Sequence, residues 1–120
     1  MKENDLKKRT KEFAVRIVRL VRELLRDKVT EVLGRQLLRC GTSVGANYRS
    51  ACRAKSKADF IAKMAIVEEE ADEVSYWLEL LVEVGGIKET IALPLMQEAN
   101  ELVAITVSSI KTARNSVFKN

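Results

Sequence analysis

Apolar positions along the chain recur in alternating steps of four and three, and they do so in four separate stretches. In the first, Leu6, Thr10, Phe13, Ile17, Leu20 and Leu24 mark one stripe, widened by Ala14, Val18, Val21 and Leu25. That period predicts an amphipathic helix from about Asp5 to Arg26 with a broad buried face. The opposite row, Arg9, Glu12, Arg16, Arg19, Glu23 and Arg26, is mostly basic. It reads either as a solvated face with ion pairs between turns or as part of a cationic surface.

A second helix is predicted to start near Val29 or Thr30, after the short break Asp27-Lys28, and to run to about Ser56. It carries three stripes at once. Leu33, Leu37, Cys40, Val44, Asn47, Ala51 and Ala54 form a core row; Gly34, Leu38, Gly41, Gly45, Tyr48 and Cys52 form a row of small residues beside it. The third stripe is Arg35, Arg39, Thr42, Ala46, Arg49 and Arg53. Each glycine costs about 1 kcal/mol against alanine inside a helix. Three on one face therefore imply close approach of a neighbouring backbone. The competing reading cuts the helix into two at a loop from Gly41 to Gly45, although the stripes stay in phase across it.

The third stretch reads Phe60, Met64, Val67, Ala71, Val74, Leu78 and Leu81, preceded by Ser56 as a hydroxyl cap and stopped by Gly85-Gly86. A second apolar set, Ile61, Ile66, Trp77, Leu80 and Val84, exceeds what one bundle core requires and points to burial between subunits. The fourth helix is predicted to begin between Lys88 and Pro94. Its core row is Leu93, Met96, Asn100, Val103, Val107 and Ile110, and polarity rises through Arg114, Asn115, Ser116 and Lys119 toward a frayed end. Asn47 and Asn100 both fall on core rows, which suggests an amide pair across the bundle.

The 120 residues suit one domain, 1–120, and with 47% hydrophobic, 5% aromatic and 32% charged residues they read as a helical protein. Charge is lopsided. Residues 1–57 hold 16 Lys/Arg against 6 Asp/Glu, and residues 58–120 hold 5 against 11, so a basic half of +10 meets an acidic half of −6. Such asymmetry suits a surface that meets a polyanion, or subunits that join through opposite charges. The two cysteines, twelve residues apart in one predicted helix, cannot bridge each other there, which is the pattern of a reducing compartment. The charged N-terminus has no apolar run after it, and no apolar segment approaches the ~18 residues of a membrane span. The expected location is the cytoplasm.

Reaction chemistry finds little support. There is no histidine, so the usual partner of a serine or cysteine nucleophile is missing, as are the Glu-x-x-His ligands of di-metal bundles. Glu68, Glu69, Glu70, Asp72 and Glu73 cluster in sequence, but adjacent helix positions point about 100° apart and cannot all reach one ion. The string CGTSVGAN has the wrong spacing for a phosphate loop. No catalytic residue, cofactor or metal is expected, and the chain is read as non-enzymatic.

The arginine stripe is the better candidate. No acid occurs between Glu31 and Asp59, and a helix rises about 27 Å from Arg35 to Arg53 at about 1.5 Å per residue. That length can follow several phosphates, which the arginine fork grips in a bidentate manner. The residues expected to contact RNA or DNA are Arg35, Arg39, Arg49 and Arg53, extended by Lys55 and Lys57. The alternative is that these arginines pair with the acidic third helix of the same or another subunit.

The stretch from Gln36 to Leu81, and Ser43-Val44-Gly45-Ala46-Asn47 within it, resembles the 23S rRNA intervening-sequence proteins, also called four-helix-bundle proteins. Where many members continue from the asparagine with Glu-Gly, this chain has Tyr48-Arg49. The resemblance implies an antiparallel up-and-down four-helix bundle, assembly into a ring-shaped homopentamer, a nucleic-acid association of undefined role, and no catalytic residues. The expectation is therefore an all-α oligomer that binds nucleic acid through a basic face of its first two helices and does not enter the membrane. The rival is an interaction scaffold or accessory subunit, for a protein partner the sequence does not identify, that touches no nucleic acid.

Overall fold

The computed structural model describes residues 2–116, and these form helices α1 (Glu3–Arg22), α2 (Lys28–Cys52), α3 (Lys57–Glu83) and α4 (Glu89–Asn115). Each packs on the next in sequence, and α1 also meets α4, so the helices surround one core in chain order. Register shows the directions. Going up α2, Gly34, Gly41 and Gly45 face Leu24, Ile17 and Thr10 in turn, so α1 and α2 run oppositely. Lys57 with Arg114, and Ser75 with Asn100, show the same for α3 and α4. The fold is the expected up-and-down four-helix bundle, 53 × 20 × 20 Å overall, two helix diameters across.

The connections are specified locally. Asp27 caps α2: its carboxylate accepts from the Thr30 amide and from the Thr30 hydroxyl, both at 3.0 Å. Ser56 caps α3 as expected, its Oγ accepting from the Asp59 amide at 3.0 Å, while Asp59 accepts in return from the Lys55 amide at 3.0 Å. At the far end of α3, Gly85 adopts φ +76°. The amide of Gly86 then reaches Leu81 O (2.8 Å) and that of Gly85 reaches Val82 O (3.1 Å), which satisfies the last carbonyls of the helix. Gly86 O in turn accepts from the Leu25 amide at 3.1 Å, tying the two turns at that end together.

Several boundaries and rows differ from the sequence reading. α1 stops at Arg22, four residues short of Arg26, because residues 23–27 turn the chain so that Leu24 can pack over Gly34. α2 is one unbroken helix through Gly41 and Gly45, but it ends at Cys52, so Arg53 is its C-cap and Lys55 lies in the connection. Its buried line, Gly34, Leu37, Cys40, Gly41, Val44, Tyr48 and Ala51, runs between the two predicted rows. α4 starts at Glu89 and carries Pro94 inside it. Its buried row is Ala92, Leu95, Ala99, Leu102, Thr106, Ile110 and Ala113, one residue before the predicted row as far as Thr106 and meeting it at Ile110. Ala92 is fully buried while Leu93 is exposed, and Thr106 is buried with its hydroxyl bonded to Leu102 O while Val107 is half-buried. Asn100 is consequently exposed and bonds Ser75 at 3.4 Å, and Asn47 donates to Ser43 O at 2.8 Å, so no Asn47–Asn100 pair forms. The expected frayed end around Lys119 lies outside the described residues.

The predicted core rows of α1 and α3 are buried, with Phe60 only partly so. Of the second apolar set on α3, Ile66 and Val84 are exposed and Ile61, Trp77 and Leu80 half-buried. Thr10 and Thr106 are buried polar residues whose hydroxyls donate to the carbonyls of Leu6 (2.9 Å) and Leu102 (2.7 Å), one turn back.

Candidate nucleic-acid interface

The glycine face of α2 is where α1 comes closest. A methyl group built on Gly41 would sit 2.7 Å from Ile17 Cγ2, and one on Gly45 would sit 3.3 Å from Thr10 Oγ1 and 3.4 Å from the Thr10 backbone. This confirms the close approach inferred from the three glycines. It also leaves a hollow on the outer side, because Ala14, Thr42, Gly45 and Ala46 are too small to fill the seam between the helices.

Cations rim that hollow. Lys7 and Lys11 come from α1, Arg49 from α2, and the hollow continues over Ser50 and Arg53 to Lys63 of α3 as a trough of about 640 Å³. Lys7 is paired with Glu3 at 3.3 Å and Lys63 with Asp59 at 3.1 Å, both one turn away on their own helices. Arg49 and Arg53 are exposed, and neither has a carboxylate within ion-pair distance among the described residues. Arg35 is likewise exposed and unpaired among them, nearer the other end of α2.

The other predicted contacts fare differently. Arg39 is drawn toward α3, where its guanidinium bonds Glu70 at 3.1 Å and also Glu73, and its Nε bonds Gln36 at 3.2 Å. Glu73 also accepts from Trp77 Nε1 at 2.9 Å. Arg39 thus follows the alternative reading, pairing with the acidic helix of its own chain. Lys57 is turned to the end of α4, donating to the carbonyls of Arg114 and Ser116 at 3.0 Å each. Its ammonium serves as a cap for carbonyls that have no partner within the helix. Lys55 is exposed in the α2–α3 connection.

Lys7, Lys11 and Lys63 were missed by reading the arginine stripe alone. The signal for the first two was present: Lys7 and Lys11 stand one turn apart, each next to a core position, Leu6 and Thr10. Lys63 had no such signal, since only the packing of α3 on α2 brings it to the trough. Arg9 also turned out differently from a free surface charge. It spans α1 and α4, with Glu98 bonded at 2.7 and 2.8 Å and Glu101 at 3.0 Å. The Glu98 hydrogen bond holds its pKa above the ordinary arginine value.

Among the described residues no three Cys, Asp or Glu side chains gather to hold a metal ion. Burial pushes the Cys40 thiol up to about 12, which makes it a packed apolar group and a poor nucleophile. No described helix is long and apolar enough to cross a membrane.

The fold and this face define an all-α bundle protein with a cationic edge along α1 and α2. The chain belongs to the 23S rRNA-intervening sequence protein family, whose model matches residues 2–108. It is similar to a solved structure from Bacteroides thetaiotaomicron, a protein of unknown function from the S23 ribosomal protein family. That likeness has a TM-score of 0.85 at 42% identity, covering 92% of this chain and 99% of the other. No curated protein matches the chain.

Proposed function

We propose that this chain is a non-enzymatic, single-domain protein that binds nucleic acid through the phosphates, using the trough on the outer face of α2. One observation carries the reading: Lys7, Lys11, Arg49, Arg53 and Lys63, from three helices, converge on one concave surface, and its two arginines have no acid partner among the described residues. Arg35 and Lys55 extend the contact, while Arg39 is held by Glu70 and Glu73 and contributes less. Self-assembly completes the proposal, with five copies implied by the family resemblance. Supporting it, Leu25, Val29, Val32 and Val84 are large apolar side chains left exposed. Two free cysteines fit a reducing cytoplasm.

The test is binding of labelled RNA and DNA across a salt series. Wild type should lose affinity steeply as salt rises, and Arg49→Ala/Arg53→Ala should bind more weakly with a slope shallower by about one unit per arginine. Absence of binding, or an unaltered slope in the variant, would falsify the reading.

A second reading is a scaffold in which the trough receives the acidic side of α3 from another copy. Glu69, Asp72, Glu79 and Glu83 favour it, being exposed and without a cation in ion-pair reach among the described residues. In that case the same double variant should dissociate the assembly on a sizing column, whereas under the first reading the assembly persists.

A further inference from the structure

Among the described residues the cationic face carries charge without an exposed ring. Tyr48, the one aromatic residue of α2, is 6% exposed. The aromatic side chains that reach the surface among the described residues are on α3. There Tyr76 and Trp77 stand edge to face at 5.0 Å, and Trp77 is bonded to the carboxylate of Glu73. Of the amides near the arginine stripe, Asn47 donates to Ser43 and Gln36 accepts from Arg39. The Thr42 hydroxyl is turned back to Leu38 O at 2.7 Å.

Single strands are held by bases stacked on aromatic side chains, in addition to charge. Among the described residues this face offers no such platform, so ordering a flexible strand on it would cost conformational freedom that stacking does not repay. A duplex is already ordered. It also presents one phosphate per ~1.7 Å of axis, a denser array than one strand can offer. The cations are arranged to meet a stiff partner: Arg35 lies about 21 Å along the rigid α2 from Arg49, at about 1.5 Å per residue. We infer that the ligand of this face is double-stranded nucleic acid, gripped by its phosphates at Arg35 and at the Lys7, Lys11, Arg49, Arg53 trough.

This inference rests on the binding proposed above and narrows it. The experiment is fluorescence anisotropy on the full chain with a labelled duplex of about 20 base pairs, as DNA and as RNA, and with each strand alone. At equal salt, at least one duplex should bind about tenfold or more tighter than its own strands, with a steeper salt slope. Arg49→Ala/Arg53→Ala, shown by circular dichroism to be folded, should lose that preference. Strands that bind as tightly as both duplexes would overturn the inference and leave nucleic-acid binding standing. If neither duplex nor strand binds, both are overturned.

Discussion

Gly41 of α2 lies so close to Ile17 of α1 that any β-carbon at position 41 would meet three atoms of the Ile17 side chain, at 2.7, 2.8 and 3.1 Å. Ile17 is fully buried and branched at its own β-carbon, so it has little freedom to move aside. Gly34 is a useful contrast, because the nearest atom there, at 2.8 Å, is the end of the Leu24 side chain.

Gly41→Ala should therefore destabilise the bundle by about 1 to 3 kcal/mol, the usual cost of overpacking, even after the helix-propensity gain of about 1 kcal/mol. Gly34→Ala should be near neutral, since Leu24 can swing away. Urea denaturation of both variants decides the matter. In a cycle with Ile17→Ala, the Gly41→Ala cost should shrink, because two of the three clashing atoms are gone.

Arg9 is the main polar tie between α1 and α4. Its side chain and that of Glu98 are 26% and 15% exposed, so the bidentate pair is partly shielded from water. Arg9→Ala should cost about 1 to 3 kcal/mol, the range for hydrogen bonds to charged groups, with Glu98 left without its partner. Arg9→Lys should recover only part of that, because an ammonium cannot form the same fork. Equilibrium unfolding at two salt concentrations would show the loss; no change in either variant would mean the clip contributes nothing.

Lys57→Ala separates a structural lysine from a binding one. Removing its two bonds to the carbonyls of Arg114 and Ser116 should speed hydrogen exchange in the last turns of α4. Affinity for nucleic acid should stay within about twofold of wild type, because the ammonium is already engaged. A loss of affinity as large as that of Arg49→Ala would place Lys57 on the binding face after all.

Acid should weaken the fold through its helix caps. Asp27 is held below the ordinary carboxylate range by the Thr30 amide and hydroxyl, and Asp59 by the Lys55 amide and by Lys63. A depressed pKa means that the ionised form is favoured in the folded chain. The stabilisation is thus complete above about pH 4 and disappears as pH falls through the lowered values. Thermal melts of wild type should drop in this window. Asp27→Asn/Asp59→Asn should melt lower at neutral pH and show a smaller further drop on acidification.

Much of this architecture is legible in the chain itself. The core rows of α1 and α3 are strong because large apolar residues occupy nearly every inward position, and Asp27, Ser56 and Gly85 mark ends by local hydrogen bonding and backbone conformation. The arginine stripe on the outside of α2 follows from the same period. The predicted α4 row differs for a definite reason: at two turns the inward residue, Ala92 or Thr106, is smaller or more polar than its outward neighbour, Leu93 or Val107, so hydrophobicity along the chain does not mark the buried line.

What the sequence by itself determined was the number of helices, their approximate spans, the close contact at the α2 glycines and the presence of a cationic face. Each depends on neighbours within a turn or two along one helix. The tertiary structure alone decided which cations share a surface and which are taken. Arg39 meets Glu73 because α3 lies beside it, Lys57 reaches the end of α4, and Lys63 joins Arg53 across a helix boundary. Those outcomes depend on the distance between residues far apart in the chain, and helical periodicity carries no information about that distance.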